Sequence, residues 1–396
     1  MLSKYLSLFL WLSFWTVCTC AGQETLQSIV TDPLSVLKPP PQLPGGAAAA
    51  EVIELPEDWE DPRFGVYADN PSTYSGPKID GYRMVLGGTL TRDTTLTADQ
   101  SPVLVRGSLV VPAGRTLLLK EGAKLYLQPD LLAPRPLQAG APDPTQQGML
   151  WIYGRLLTDG LSKDRVALQG SGARNAALFL YGREASELRG ADLLDVAVTQ
   201  RGGSAQWLGC RFTRAEHYAL ARGAALFVHT TFERCGGVLA TYDAGPWALL
   251  ARRCLFEHGR EGIVLGSNPG ADALHIEQNH FVDLAGAHLR ALPVQIKSPM
   301  EVLIGENWHG TSIPEQIDAR IVDRRSDRKL NARLNTRPPA EAPYDEAGAD
   351  VPLKALARTY QDAGASREAM LQHYARREKE MASKAQAAGD ATAQNR

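Results

Sequence analysis

The chain has 396 residues, a formal net charge of −2 and 44% hydrophobic residues. That length suits one large domain or two ordinary ones. The near-neutral balance calls for no nucleic acid partner. The 36 glycines and 25 prolines follow no three-residue period, which excludes a collagen-like chain.

Residues 1–22 read as a secretory signal peptide: Lys4, an apolar run from Tyr5 to Val17, then small residues. The run is too short to span a bilayer. Val17-Cys18-Thr19-Cys20 forms a loose lipobox, with Cys20 as the candidate lipidation site and Thr19 where a smaller residue is usual. The alternative is simple cleavage near Ala21 or Gly22. Both readings place the protein outside the cytoplasm: secreted, or in the cell envelope as an outer-membrane or surface lipoprotein. Membrane attachment is expected only through a lipid anchor, because no other segment is long and apolar enough to span.

Past the signal remain Cys210, Cys235 and Cys254, an odd number spread through apolar repeats. They are expected to be buried thiols with at most one bridge. No Cys-x-x-Cys or His-x-x-x-His spacing supports a zinc site, and neither a metal nor a cofactor is expected.

Residues 23–50 are rich in Pro, Gly and Ala and read as a spacer. Residues 51–82 carry turn formers and Trp59, Tyr67, Tyr74 and Tyr82, an irregular lead-in. From about residue 83, short strands alternate with Gly, Pro or Asp, and the Pro-rich stretch 128–148 reads as a surface loop. A repeat then emerges. Cys210-Arg-Phe212, Thr230-Thr-Phe232, Cys254-Leu-Phe256 and Asn279-His-Phe281 recur, with Glu306-Asn-Trp308 as a weaker fifth. The aromatics lie 20, 24, 25 and 27 residues apart, and "YALAR", "VLATY" and "GIVLG" follow the first three.

A period of 20 to 25 residues with short strands and no helix marks a β-solenoid. Stacked coils bury an apolar face that one coil alone leaves open, and like side chains then form columns. The expected columns are aromatic at 212, 232, 256 and 281, and small or polar at 210, 230, 254 and 279, where Asn or Thr bonds the turn and Cys fills a small space.

These residues resemble the right-handed parallel β-helix superfamily, the pectin-lyase-like proteins. The "N-x-F … G-I-x-L" repeat is similar to its generic coil. "SPVLVRGSLVVPAGRTLLLKEG" is similar to the first coils of bacterial surface members, and Asn307-Trp308-His309-Gly310 resembles the motif that often closes such a helix. The resemblance covers about 83–325. It implies an all-β, single-stranded right-handed parallel β-helix. Ile313, Ile317 and Ile321 share one helical face and suggest a short capping helix. Residues 326–350 read as a linker, and 351–396 as a helical tail, broken near Gly364, that becomes disordered over its last ten residues.

Aligning the strand after each aromatic puts Ala219, Leu239 and Ile263, then Ala221, Thr241 and Leu265, inward. Arg222, Tyr242 and Gly266 then face out, with Lys297 in the same column. Arg222, Tyr242 and Lys297 are the candidate ligand-binding residues, suited to an acidic polysaccharide; an ordinary solvated face is the alternative. The pattern around "EHGREGIVLGS" and "VQIKS" looks like fragments of the polygalacturonase site, with Gln295 in place of its Arg and without its Asp pair. Hydrolysis needs two carboxyls at a defined separation. Asp243, Glu261 and Lys297 are the catalytic candidates, and Arg260, Arg290 and His288 have no feature that selects them. The expected role is a non-catalytic carbohydrate-binding, structural or adhesion module at the cell surface. A polysaccharide lyase or glycoside hydrolase is the alternative, and a scaffold docking a protein partner through the C-terminal helix is a third.

Overall fold

The computed structural model describes residues 81–128, 148–161, 164–170, 176–240, 245–266, 271–293, 300–330, 332–336 and 338–394. The signal segment with Cys20, the spacer, most of the lead-in and the Pro-rich loop lie outside them. Strands begin at Met84–Thr89, and a single sheet of 23 strands runs to Ile321–Val322.

One repeat shows how the sheet is built. Trp247–Arg252 pairs in parallel with Tyr218–Val228 behind it and Leu274–Glu277 ahead. Leu255–Glu257 pairs with Thr231–Glu233 and His280–Val282. Ile263–Leu265 pairs with Val238–Ala240 and Leu289–Ala291. Each strand thus meets its counterparts about one repeat away, never its chain neighbour. This is a parallel stack of three-strand coils, consistent with a β-solenoid. The three positions are termed the first, second and third face.

Single residues with positive φ bracket the second-face strand: Gly209 and Arg214, His229 and Arg234, Arg253 and His258, Gln278 and Asp283. One left-handed residue turns the chain sharply without a loop, so a coil closes in few residues. For residues other than glycine the conformation costs roughly 1–2 kcal/mol. The stacking between coils must offset that.

The inward second-face residues form one continuous column: Met84, Val103, Leu125, Leu168, Leu193, Phe212, Phe232, Phe256 and Phe281. The four phenylalanines stack at centroid distances of 4.8, 4.7 and 5.0 Å. Two residues before each ring runs the expected polar column. Cys210, Thr230, Cys254 and Asn279 are fully buried. The Thr230 hydroxyl donates to the Trp207 carbonyl at 3.0 Å, and Asn279 donates to the Ala251 carbonyl at 2.8 Å. Among the described residues Cys210, Cys235 and Cys254 are free, and burial raises each thiol to about 12.

Two registers differ from the sequence reading. On the third face Tyr218, Val238 and Ile263 align, then Leu220, Ala240 and Leu265. These six are buried, whereas Ala219 and Leu239 point outward and are half-buried. The turn between Phe256 and Ile263 is one residue longer than in the two coils before it, and a one-residue slip exchanges the faces of a strand. At the end of the stack the column continues through Asn307 and His309, not Glu306 and Trp308: His280 bridges Trp308, and His309 lies 5.3 Å from the Phe281 ring. Asn307 accepts from Asn279 at 3.0 Å and donates to the Ile276 carbonyl at 2.9 Å.

The cap is also shorter than its isoleucine spacing suggests. Helix α1 spans only Pro314–Asp318, so Ile317 alone points into the core from it. Ile313 is 48% exposed, and Ile321 belongs to the last strand, opposite Leu289.

Residues 326–350 are more ordered than a linker. Ala332–Asn335 pairs with Met300–Leu303 in a small second sheet. The chain then runs back along the stack. Ala340 bonds to the Asn307 carbonyl, Tyr344 to His280, Gly348 to the Arg253 carbonyl and Ala349 to the Thr231 hydroxyl. Helix α2 (Leu353–Asp362) and helix α3 (Gly364–Gln394) follow, broken at Gly364 as the sequence suggests. Helix α3 extends to Gln394. Leu356, Ala363 and Met370 pack on the outer side of the first face, against Leu208, Ala224, Leu226, Val228, Ala248 and Leu250. That face is apolar on both sides, and the tail covers the outer one. No helix among the described residues is long and apolar enough to cross a membrane.

Candidate functional site: an aromatic and basic corner

The third face of each coil turns into the first face of the next at one corner, and the sequence-predicted binding residues are Arg222, Tyr242 and Lys297.

 Of these, Arg222 is described and lies at this corner, whereas Tyr242 and Lys297, with the catalytic candidate Asp243, lie outside the described residues. The coils before Arg222 extend the corner in a way the sequence reading missed. Tyr153 follows the third-face strand Gly148–Ile152, and Tyr181 follows Ala176–Leu180 one coil on. Arg201 follows in the next coil and pairs in register with Arg222. The column therefore reads Tyr153, Tyr181, Arg201, Arg222.

Beside it, on the outward side of the third face, Trp151 and Phe179 are register partners whose rings stack at 4.1 Å and 16°. Tyr181 lies 5.6 Å from Trp151 and 5.9 Å from Tyr153. Trp151 is buried, and Tyr153, Phe179 and Tyr181 are half-buried. The Trp151 Nε1 and the hydroxyls of Tyr153 and Tyr181 are buried without a protein hydrogen-bond partner among the described residues. Such groups are rare in folded proteins and call for an explanation. Burial raises the Tyr153 and Tyr181 hydroxyls above their ordinary range, and the nearby Arg201 charge pulls Tyr181 back.

The corner is tight because its turns are glycine-rich. A Cβ on Gly182 would lie 2.2 Å from the Tyr153 carbonyl oxygen, so only glycine lets successive turns nest. From inside, Gln200 holds the bend: it donates to the Ala224 carbonyl at 3.1 Å and accepts from the Tyr218 hydroxyl at 2.5 Å. A buried, satisfied amide of this kind fixes one backbone path.

Arg222 is not open to solvent on its own. It donates to Glu378 of α3 through Nε at 2.7 Å and Nη2 at 2.6 Å, a two-pronged ion pair that leaves both side chains about a quarter exposed. A Cβ on Gly245 would come within 3.0 Å of the Arg222 Cδ, so the glycine makes room for the arginine stem.

Of the catalytic candidates, Glu261 is described. Its carboxylate accepts from Arg290 Nε at 2.5 Å, where the third-face strand of one coil meets the turn of the last. His288 is a core residue, 4% exposed, stacked with His309. Arg260, which sits in the same turn as Glu261, lies against Gly236. Among the described residues no three His, Cys, Asp or Glu side chains group to hold a metal ion. No protein-family model, curated protein or solved structure matches this chain.

Proposed function

We propose that this chain is an exported cell-surface protein built on a single-stranded right-handed parallel β-helix of the pectin-lyase-like type, and that it binds carbohydrate without cleaving it. The observation that carries the reading is the corner column Tyr153, Tyr181, Arg201 and Arg222, flanked by the Trp151–Phe179 stack. Aromatic rings offer flat apolar faces to sugar rings. Arginines two coils along pair with carboxylates or sulfates. Coils repeat at about 4.8 Å, so an extended chain laid along the corner meets one side chain per coil.

The catalytic candidate Glu261 is held in an ion pair with Arg290, which would have to break before the carboxylate could act on a substrate. The reading extends to the exported location and, through Cys20, to a lipid anchor; Cys20→Ala should then move the protein from the membrane fraction to the soluble one. The binding itself is tested by affinity electrophoresis through gels cast with polygalacturonate. The wild type should be retarded and Tyr181→Ala should run closer to its rate in a plain gel. Equal migration of both proteins in both gels would remove the reading.

A further inference from the structure

The tail packs on the first face and reaches the candidate corner. Its docking rests on apolar packing: Leu356, Ala363 and Met370 are buried, and Tyr360, Leu371 and Tyr374 lie against the same patch. Glu378 adds something of a different kind. It lies one turn past Tyr374, and beyond it Lys379, Glu380, Ala382, Ser383 and Lys384 are exposed. The contact therefore includes a carboxylate gripped by both prongs of Arg222.

Two features make this grip more than a surface ion pair. Arg222 stands in register with Arg201 on the column that continues into Tyr181 and Tyr153. Its guanidinium is also partly withdrawn from water, with its stem against Gly245. A withdrawn cation requires an anionic partner, because removing one side of such a pair leaves a charge poorly compensated. A planar carboxylate matches the guanidinium fork, so the group that replaces Glu378 most readily is another carboxylate.

We propose that Glu378 is a built-in competitor for the corner: its carboxylate occupies the place of a uronic acid carboxylate, and a uronate-bearing glycan binds by displacing the end of α3. This rests on the glycan-binding reading above and adds to it the ligand class and the means of regulation. No bond is made or broken; one carboxylate replaces another on Arg222. Because coupling is reciprocal, anything that loosens Glu378 tightens the glycan, and the glycan loosens the tail.

The test compares the full chain with Glu378→Gln and Tyr181→Ala, using polygalacturonate as the probe and dextran as the neutral control. Glu378→Gln keeps the shape and helix propensity of the side chain, and its far-ultraviolet spectrum should match the wild type. It should bind polygalacturonate about tenfold more tightly, within the usual range of such couplings. Dextran affinity should not change. Polygalacturonate should also speed tryptic cleavage of the wild type after Arg376, Arg377 and Lys379, a readout that a purely structural ion pair would not move. Equal affinity of the wild type and Glu378→Gln, with Tyr181→Ala weakening polygalacturonate binding, would overturn the competitor role and leave the glycan-binding reading standing. No binding by the wild type or Glu378→Gln would overturn both.

Discussion

The Nδ1 atoms of His288 and His309 lie 3.1 Å apart at the buried end of the aromatic column. One nitrogen must donate and the other accept, so the contact needs at least the accepting ring neutral. Burial lowers His288 to about 3, helped by His309 and Arg320, and lowers His309 to about 4. Both folded-state values lie below the ordinary 6.5. The unfolded chain therefore takes up protons first, and stability is fully present above pH about 6.5 and falls as pH drops toward the folded values. The melting temperature should decline between pH 6.5 and pH 4 at constant ionic strength. The double variant His288→Phe and His309→Phe should lose part of that decline. An identical acid profile in the variant would place the sensitivity elsewhere, His229 and His280 being the other histidines lowered by burial to about 4.

Phe256 has a stacked ring on each side, Phe232 at 4.7 Å and Phe281 at 5.0 Å. Removing it deprives both neighbours of contact and leaves a cavity between two coils. Phe256→Ala should destabilise the protein by about 3–5 kcal/mol, measured by denaturant unfolding. An unchanged midpoint would contradict the continuous column.

Deleting residues 351–396 should leave the stack folded, because its strands pair with each other and not with the tail. It should also uncover Leu226, Val228 and Leu250 on the outer first face. The truncated protein should keep its β-sheet circular dichroism yet self-associate in size-exclusion chromatography. Leu226→Glu in the truncated chain should restore the monomer. A truncated chain that is monomeric without that change would mean the covered patch has little weight.

His258 holds φ at 54° with half of its side chain exposed. Glycine adopts that conformation without strain but loses more freedom on folding. His258→Gly should therefore be neutral or stabilising, by up to about 1 kcal/mol in thermal unfolding. A loss of more than that would show that the imidazole contributes to the turn.

The periodic parts of this fold were legible in the sequence because a stacked column repeats its chemistry: Cys, Thr or Asn two residues before Phe marks every coil from 210 to 281. The third-face register was not, because its strands are apolar at neighbouring positions, as in Ile263-Val264-Leu265, and alternation gives no phase. The turns hid themselves for another reason. Apart from Gly209, their left-handed residues are Arg, His, Gln and Asp, where glycine would have been the visible signal. Arg222 was found by its place after an apolar strand. Tyr153 and Tyr181 were passed over because their coils carry leucine in the aromatic column, Leu125 and Leu168, and so show no Cys-x-Phe mark. The ion pair of Arg222 with Glu378 joins positions 156 apart, a contact that no local pattern announces.

The most direct measurement of the glycan-binding corner is calorimetric titration of the full chain with a soluble oligogalacturonate at low and at physiological salt, with the same mixtures assayed for new reducing ends and unsaturated sugars. Exposed charges are screened within about 8 Å at physiological ionic strength. The expected result is saturable binding that weakens with salt, is reduced in Tyr181→Ala and in Arg201→Gln, and yields no product. Either no heat of binding at both salt concentrations, or product formation that is lost in Glu261→Gln, would contradict it.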